Sequence, residues 1–142
     1  MRANEFLTES LNFEEGDCPI LAVALNKLTG YPIYALVEWE PKIRKHVLIH
    51  AFVKGTEWYY DIDGGGDVDY YLEKYPNNGG AELVKMTAQE VLKIGYGKHP
   101  IPNLASVLPY AQEIVDDNEL AKSSVAEAET YQPPSLEVGR RR

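Results

Sequence analysis

The stretch Gly16-Asp17-Cys18-Pro19-Ile20-Leu21-Ala22-Val23-Ala24-Leu25-Asn26-Lys27-Leu28-Thr29-Gly30 decides how this 142-residue chain can fold. Apolar residues recur through it at helical spacing. Asp17 can cap the start of a helix, Pro19 is tolerated in a first turn, and Gly30 is a typical end. The pattern predicts a helix from Cys18 to Thr29.

Cys18 is the single cysteine of the chain and falls in the first turn of that helix. Unpaired amides and the positive end of the helix dipole favour thiolate over thiol there. The position therefore predicts a cysteine with a lowered pKa that can act as a nucleophile. A lone cysteine is otherwise most often a small buried hydrophobic residue.

A predicted hairpin supplies partners for this thiol. Residues 46–53 and 57–62 are rich in β-branched and aromatic residues, and a Lys-Gly-Thr turn signal separates them. If residues 55–56 form a two-residue loop, His50 lies directly opposite Asp61, close enough for a hydrogen bond. If the loop is residues 54–55, the partner of His50 is Tyr59. The first register predicts a triad of Cys18, His50 and Asp61.

The roles in such a triad follow from the residue types. Cys18 attacks an acyl or amide carbonyl, His50 holds the thiol proton and passes it to the leaving group, and Asp61 orients the imidazole. The backbone amide of Cys18 lies where an oxyanion would form. These roles predict a cysteine-dependent hydrolase or acyl/amide transferase that acts on a protein, a peptide or a small amide or acyl substrate.

The order Cys, His, Asp resembles the papain-like superfamily in its broad sense, including transglutaminase-like, NlpC/P60-like and arylamine N-acetyltransferase-like proteins. The matching text is Gly16-Asp17-Cys18, His50-Ala51-Phe52-Val53 and Tyr59-Tyr60-Asp61-Ile62-Asp63-Gly64. The resemblance implies an α+β fold in which the Cys-bearing helix packs on a small antiparallel sheet, with helices after it. Papain-type proteases carry a Gln about six positions before the Cys, where this chain has Asn12 as a second oxyanion donor.

Composition limits the class of protein. The chain is 44% hydrophobic and 25% charged, which is typical of a globular protein, and its length predicts one domain, residues 1–122, with a polar tail, residues 123–142. The net charge of −8 argues against nucleic acid as a partner. No apolar run is long enough to span a membrane, and a single cysteine without an apolar leader predicts the cytoplasm. The first nine residues resemble leaders of tailed-phage proteins, which would make that the host cytoplasm.

The remaining elements are predicted from local patterns. Strands are expected at residues 33–40, in a central position, and at 81–86. A short helix or a turn is expected at residues 70–75. Helices are expected at 87–94, after a Thr-x-x-Glu capping box, and from Pro109 to about residue 121. Residues 3–15 form a short helix or a loosely packed arm.

The acidic segment 61–69 is the other candidate for chemistry. Its alternating aspartates match part of a calcium loop, but the twelfth position is Leu72 instead of Glu. A zinc site is excluded because His46 and His50 lie about 13 Å apart along one strand. We therefore predict no metal and no cofactor, and we expect the glycines to lead the backbone out of the sheet.

The competing hypothesis is a binding or structural module that has this fold without the chemistry. In that case the acidic segment 61–69 and the Arg-rich end of the chain would be docking elements within a larger assembly, such as a phage particle. Thiol reactivity separates the two hypotheses, because a structural cysteine is inert.

Overall fold

The computed structural model describes residues 11–14 and 16–120, and over these residues the chain folds as four helices packed on a five-stranded antiparallel sheet. The strands are β1 (Ile33–Glu40), β2 (Lys45–Lys54), β3 (Tyr59–Asp61), β4 (Gly64–Gly66) and β5 (Glu82–Met86). The helices are α1 (Cys18–Thr29), α2 (Val68–Lys74), α3 (Ala88–Tyr96) and α4 (Leu104–Asp117). The predicted α+β fold with a Cys-bearing helix is confirmed.

The start of α1 differs from the prediction although the bounds of the helix agree with it. Gly30 ends the helix in the left-handed region, at φ 79°, as its lack of a side chain allows. Asp17 stands at the N-cap position, but its side chain does not cap the helix. Its carboxylate instead accepts hydrogen bonds from the Asn12 backbone N–H at 2.9 Å and from the Tyr96 hydroxyl at 2.8 Å. Asp17 therefore ties the first turn of α1 to α3.

The sheet order is β4-β3-β2-β1-β5. Residues 35–38 of β1 are all buried, which confirms the predicted inner position between two neighbouring strands. One face of the sheet, with Ala51 and Val53, packs against α1 and α3, and α4 packs on α1. The opposite face carries Leu36 and Phe52 under an aromatic layer from α2. Neighbouring residues of β2 thus belong to different layers, as strand geometry requires.

Two helix boundaries were predicted wrongly. α4 begins at Leu104 because Asn103 caps it, with Oδ1 accepting from the Ala105 N–H at 2.8 Å, so Pro109 lies inside the helix. α3 does not end at Gly95 but continues to Tyr96. The capping box of α3, formed by Thr87 and Glu90, is confirmed.

The glycines of the acidic segment also differ from the prediction. Gly64, Gly65 and Gly66 stay in the sheet as β4 and pair with β3, so they do not lead the backbone away from it. Asp67 caps α2 by accepting from the Tyr70 N–H at 2.9 Å. In the part of the chain that the structure describes, no group of three His, Cys, Asp or Glu residues could hold a metal ion.

The predicted arm at residues 3–15 falls mostly outside the described residues, and the polar tail at 123–142 falls wholly outside them. Among residues 11–14 and 16–120, none of the helices combines the length and the apolar character needed to cross a membrane.

Candidate active site

The loop between β2 and β3 is longer than either predicted hairpin. Val53 pairs with Tyr60 and Lys54 pairs with Tyr59, so residues 55–58 form a four-residue connection. Both predicted registers are therefore wrong. Extending the observed pairing by one step places Asp61 opposite Phe52, two residues along the strand from His50.

His50 and Asp61 nevertheless meet, as diagonal neighbours on one face of the sheet. His50 Nε2 lies 2.7 Å from Asp61 Oδ2, and the two side chains are 0% and 1% exposed. Long side chains on diagonal positions can reach each other across a strand pair. The second carboxylate oxygen, Oδ1, accepts from the Asp63 N–H at 2.9 Å and fixes the orientation of the acid.

A β-bulge stands directly before His50. Leu36 of β1 pairs with His50 and the next residue, Val37, pairs with Leu48, so Ile49 is an extra residue on β2. A bulge increases the local twist and redirects the side chains beside it, and bulges are frequent next to active sites. The orientation of the imidazole therefore depends on an irregularity for which the sequence carries no clear signal.

Aromatic rings cover the imidazole. The ring of Tyr75 stacks on His50 with centroids 4.0 Å apart and an angle of 17°, and the rings of Tyr71 and Phe52 follow at 5.7 and 5.8 Å. The Tyr71 hydroxyl donates to the Tyr59 carbonyl at 3.1 Å. This aromatic cover was not predicted from the sequence. The spacing of four residues between Tyr71 and Tyr75, which places both on one side of a helix, could have indicated it.

Two buried polar atoms in this layer have no hydrogen-bond partner among the described residues. They are His50 Nδ1 and the hydroxyl oxygen of Tyr75. Burial, with the nearby negative charge of Asp61, raises the pKa of the Tyr75 hydroxyl well above its usual range. Because Asp61 occupies Nε2, Nδ1 is the nitrogen through which His50 can exchange a proton with another group.

The thiol of Cys18 lies beside this pair. Its Sγ accepts a hydrogen bond from the backbone N–H of Ala51, the residue after His50, at 3.3 Å. The predicted hydrogen bond between the thiol and His50 is not made in this arrangement, because Nδ1 has no hydrogen-bond partner within residues 11–14 and 16–120. The thiol therefore contacts the backbone of β2 one residue after His50. It packs with the apolar cluster on the helix side of the sheet, whereas the imidazole lies among the aromatic rings on the opposite side.

The predicted lowering of the Cys18 pKa is wrong for this arrangement. Burial raises the pKa of the thiol to about 12, the charge of Asp61 adds to the rise, and the hydrogen bond from Ala51 opposes it. Cys18 is 1% exposed, so the loss of hydration of a thiolate outweighs the favourable end of the helix dipole.

Asn12, the predicted oxyanion donor, holds the turn that precedes Cys18. Its side-chain Oδ1 accepts from the Glu14 N–H at 3.2 Å, and its carbonyl accepts from the Asp17 N–H at 2.8 Å. The residue is exposed. Its oxyanion role stays a prediction, as does that of the Cys18 backbone amide.

These contacts join His50 to Asp61 and place Cys18 Sγ against the backbone of the residue after His50. No family model, curated protein or solved structure matches this chain. The resemblance stays a prediction that depends on residues 12–66, and the chemistry has to be argued from the site itself.

The raised pKa of Cys18 predicts a loss of stability in alkali. The folded chain holds the thiol proton to about pH 12, whereas the unfolded chain releases it near pH 9, so this stabilising contribution is complete below pH 9 and disappears as the pH rises through 12. Between about pH 8 and pH 10 the natural chain should lose about 1.4 kcal/mol more unfolding free energy than Cys18→Ala.

Urea unfolding of both chains at the two pH values measures this difference. The tyrosines with raised pKa values are present in both chains, so their contribution cancels in the comparison. Equal losses in the two chains would show that the folded protein does not retain the Cys18 proton.

Proposed function

We propose that this chain is a cysteine-dependent hydrolase or acyl/amide transferase, with Cys18 as the nucleophile and the His50–Asp61 pair as its proton carrier. One observation carries the proposal. Asp61 holds the imidazole through Nε2 at 2.7 Å, while the buried Nδ1 has no partner among the described residues. A buried polar atom without a partner costs folding free energy of about 1–3 kcal/mol. Such an atom beside the only cysteine favours a role in proton transfer over a structural one.

The reaction begins with transfer of the thiol proton from Cys18 Sγ to His50 Nδ1. The thiolate attacks the carbonyl carbon of the substrate and forms a C–S bond, and the carbonyl electron pair moves onto oxygen. First-turn amides of a helix have no acceptor within it, so the Cys18 N–H can donate to this oxyanion, with Asn12 as the second candidate donor. The tetrahedral intermediate then expels the leaving group, which takes the proton from Nδ1, and leaves a thioester.

The second half of the reaction decides between hydrolysis and transfer. Water or an acceptor amine attacks the thioester carbon while His50 removes its proton, and the C–S bond breaks with return of a proton to Cys18. Asp61 stabilises the positive charge on the imidazole in both halves. Proteins, peptides and small amides all fit this chemistry.

Substrate access requires movement on both sides of the sheet, because Cys18 is buried in the helix-side cluster and the aromatic layer covers His50. Cys18, His50 and Asp61 are each no more than 1% exposed, and Tyr75 covers the imidazole. In the closed form the thiol is neutral. In an open form, in which these covering groups have moved, His50 Nδ1 reaches Cys18 Sγ and accepts its proton. This transfer takes up no proton from solution.

The pH dependence of alkylation tests the proposal. Cys18 is the only cysteine, so iodoacetamide labelling reports on it alone. If His50 accepts the thiol proton, the labelling rate of the natural chain should be nearly constant between about pH 6 and 9, because the thiolate and imidazolium form together. His50→Gln should convert this plateau into a rise of about tenfold per pH unit. The melting temperature of each variant controls for folding.

A second candidate is the catalytically inactive binding or structural module, including a component of a phage assembly. The burial of all three side chains and the raised pKa of the thiol favour it. In this case the natural chain itself would label slowly, with a tenfold rise per pH unit, and a folded His50→Gln variant would behave identically. That result would exclude the enzyme.

A further inference from the structure

An open cavity of about 350 Å³ lies at the end of the sheet that carries β4. Trp58, Tyr60, Gly65 and Asn118 line it. Trp58 is 47% exposed although it is a large aromatic residue, so its ring is accessible to a ligand. The volume is at the lower end of the range of small-molecule and side-chain pockets.

Gly65 allows the two rings to approach the backbone of β4. A Cβ at this position would lie 3.0 Å from Cε1 of Tyr60 and 3.3 Å from Cβ of Trp58. The ring of Tyr31 stacks behind Tyr60, with centroids 6.5 Å apart and an angle of 22°. The cavity therefore has an aromatic wall with a second ring supporting it.

Asn118 contributes a hydrogen-bond acceptor. Its Nδ2 donates to the Ile114 carbonyl at 2.8 Å, which fixes the amide. Its Oδ1 accepts no hydrogen bond from a described residue and lies 3.5 Å from the position that a Cβ on Gly64 would take. The oxygen is directed toward β4, where a ligand with N–H groups can reach it.

Negative charge lies close to this wall in the sequence and at the end of α4. Asn118 ends α4, whose last turn contains Asp116 and Asp117 and no basic residue, so the negative end of the helix dipole is not neutralised by a cation there. Glu57 directly precedes Trp58, and its charge acts on the Tyr60 hydroxyl. Aromatic faces, a carbonyl acceptor and surrounding carboxylates together suit a cation.

We propose that this cavity binds an arginine side chain of a partner peptide or protein, with the guanidinium stacked on Trp58 and an N–H donated to Asn118 Oδ1. A planar guanidinium is weakly hydrated, stacks on aromatic rings and donates in fixed directions, which matches these three features. The site uses none of the atoms assigned to Cys18 chemistry, so it stands apart from the proposed function.

An NMR titration of the full chain with the peptide acetyl-Gly-Arg-Gly-amide tests the inference. The Trp58 indole N–H and the Gly65 amide should shift saturably, and the matching citrulline peptide, which has the same shape without the charge, should bind at least about tenfold more weakly. Trp58→Ala should weaken binding by about tenfold. Glu57→Gln should weaken it by about threefold and reduce its salt dependence.

Trp39→Ala is the matched control, because Trp39 is 48% exposed at a different place, on β1, and its removal should leave binding unchanged. Equal binding of the arginine and citrulline peptides would overturn the assignment of a cation. Absence of a saturable shift at Trp58 would overturn the site. A shift produced by N-acetylglucosamine and not by the arginine peptide would assign a carbohydrate site instead. The same titration of Cys18→Ala should give the natural affinity, so the result does not depend on the enzyme hypothesis.

Discussion

Asp61→Ala should lower the unfolding free energy by about 3–5 kcal/mol, because it removes one partner of a buried pair and leaves the other. His50 Nε2 would lose its 2.7 Å contact, and Nδ1 already has no partner in the described part of the chain, so neither ring nitrogen would have a hydrogen bond from those residues. The Asp63 N–H would also lose its acceptor. The total unfolding free energy of a small domain is about 5–15 kcal/mol. The loss expected for Asp61→Ala is a large fraction of that total, and urea denaturation should measure it.

Asp61→Asn is the matched variant for this measurement. An amide has nearly the same shape as the carboxylate. Its oxygen can accept from the Asp63 N–H while its NH2 donates to Nε2 of a neutral His50 protonated on Nδ1, so we expect a loss well below that of Asp61→Ala. Glu73→Ala, an exposed acid on α2, should change stability by less than about 0.5 kcal/mol. If Asp61→Ala were no more destabilising than Glu73→Ala, the buried pair would not be part of the folded protein.

Gly95→Ala should lower the unfolding free energy by about 1–3 kcal/mol through overpacking. A Cβ at Gly95 would lie 2.4 Å from Cγ of Pro19 and 3.0 Å from its Cβ. The proline ring is buried and rigid and follows Cys18 directly, so relief requires α3 to move away from the first turn of α1. This clash acts against the gain of about 1 kcal/mol that alanine normally brings to a helix interior.

Gly16→Ala provides the comparison on the other side of Cys18. A Cβ there would meet nothing within 4 Å, so its effect on urea unfolding should stay within about 0.5 kcal/mol. A neutral Gly95→Ala would mean that α3 does not pack closely on Pro19. Because that packing and the Asp17–Tyr96 hydrogen bond both hold the first turn of α1, the variant should also speed iodoacetamide labelling of Cys18.

The contact between His50 and Asp61 was predicted correctly although the predicted strand register was wrong. His50 and Asp61 were correctly placed on one face of the sheet. Side chains alternate along a strand, and the observed pairing differs from the predicted one by two residues, so both pairings put the two side chains on the same face. The loop length was wrong, since Gly55 N–H bonds to the Trp58 carbonyl across four residues instead of two. Diagonal neighbours are close enough for a histidine and an aspartate to meet, so the error of one pair did not separate them.

Elements with local signals could be predicted from the amino-acid sequence. The helix from Cys18 to Thr29, the capping box at Thr87 and the buried inner strand β1 follow from apolar spacing and from residues within a few positions of each element. These features depend on contacts between near neighbours in the chain, so short patterns predict them.

The environment of the site depends on tertiary contacts that no local pattern predicts. The bulge before His50, the stacking of Tyr75 and the burial of Cys18 depend on residues far apart in sequence. The pKa of the thiol depends on the same long-range packing, because burial removes water that a helix start on the surface would retain, and this reversed the predicted direction. Local sequence therefore determined where the thiol stands on its helix, and the packing of distant segments decided whether it is charged.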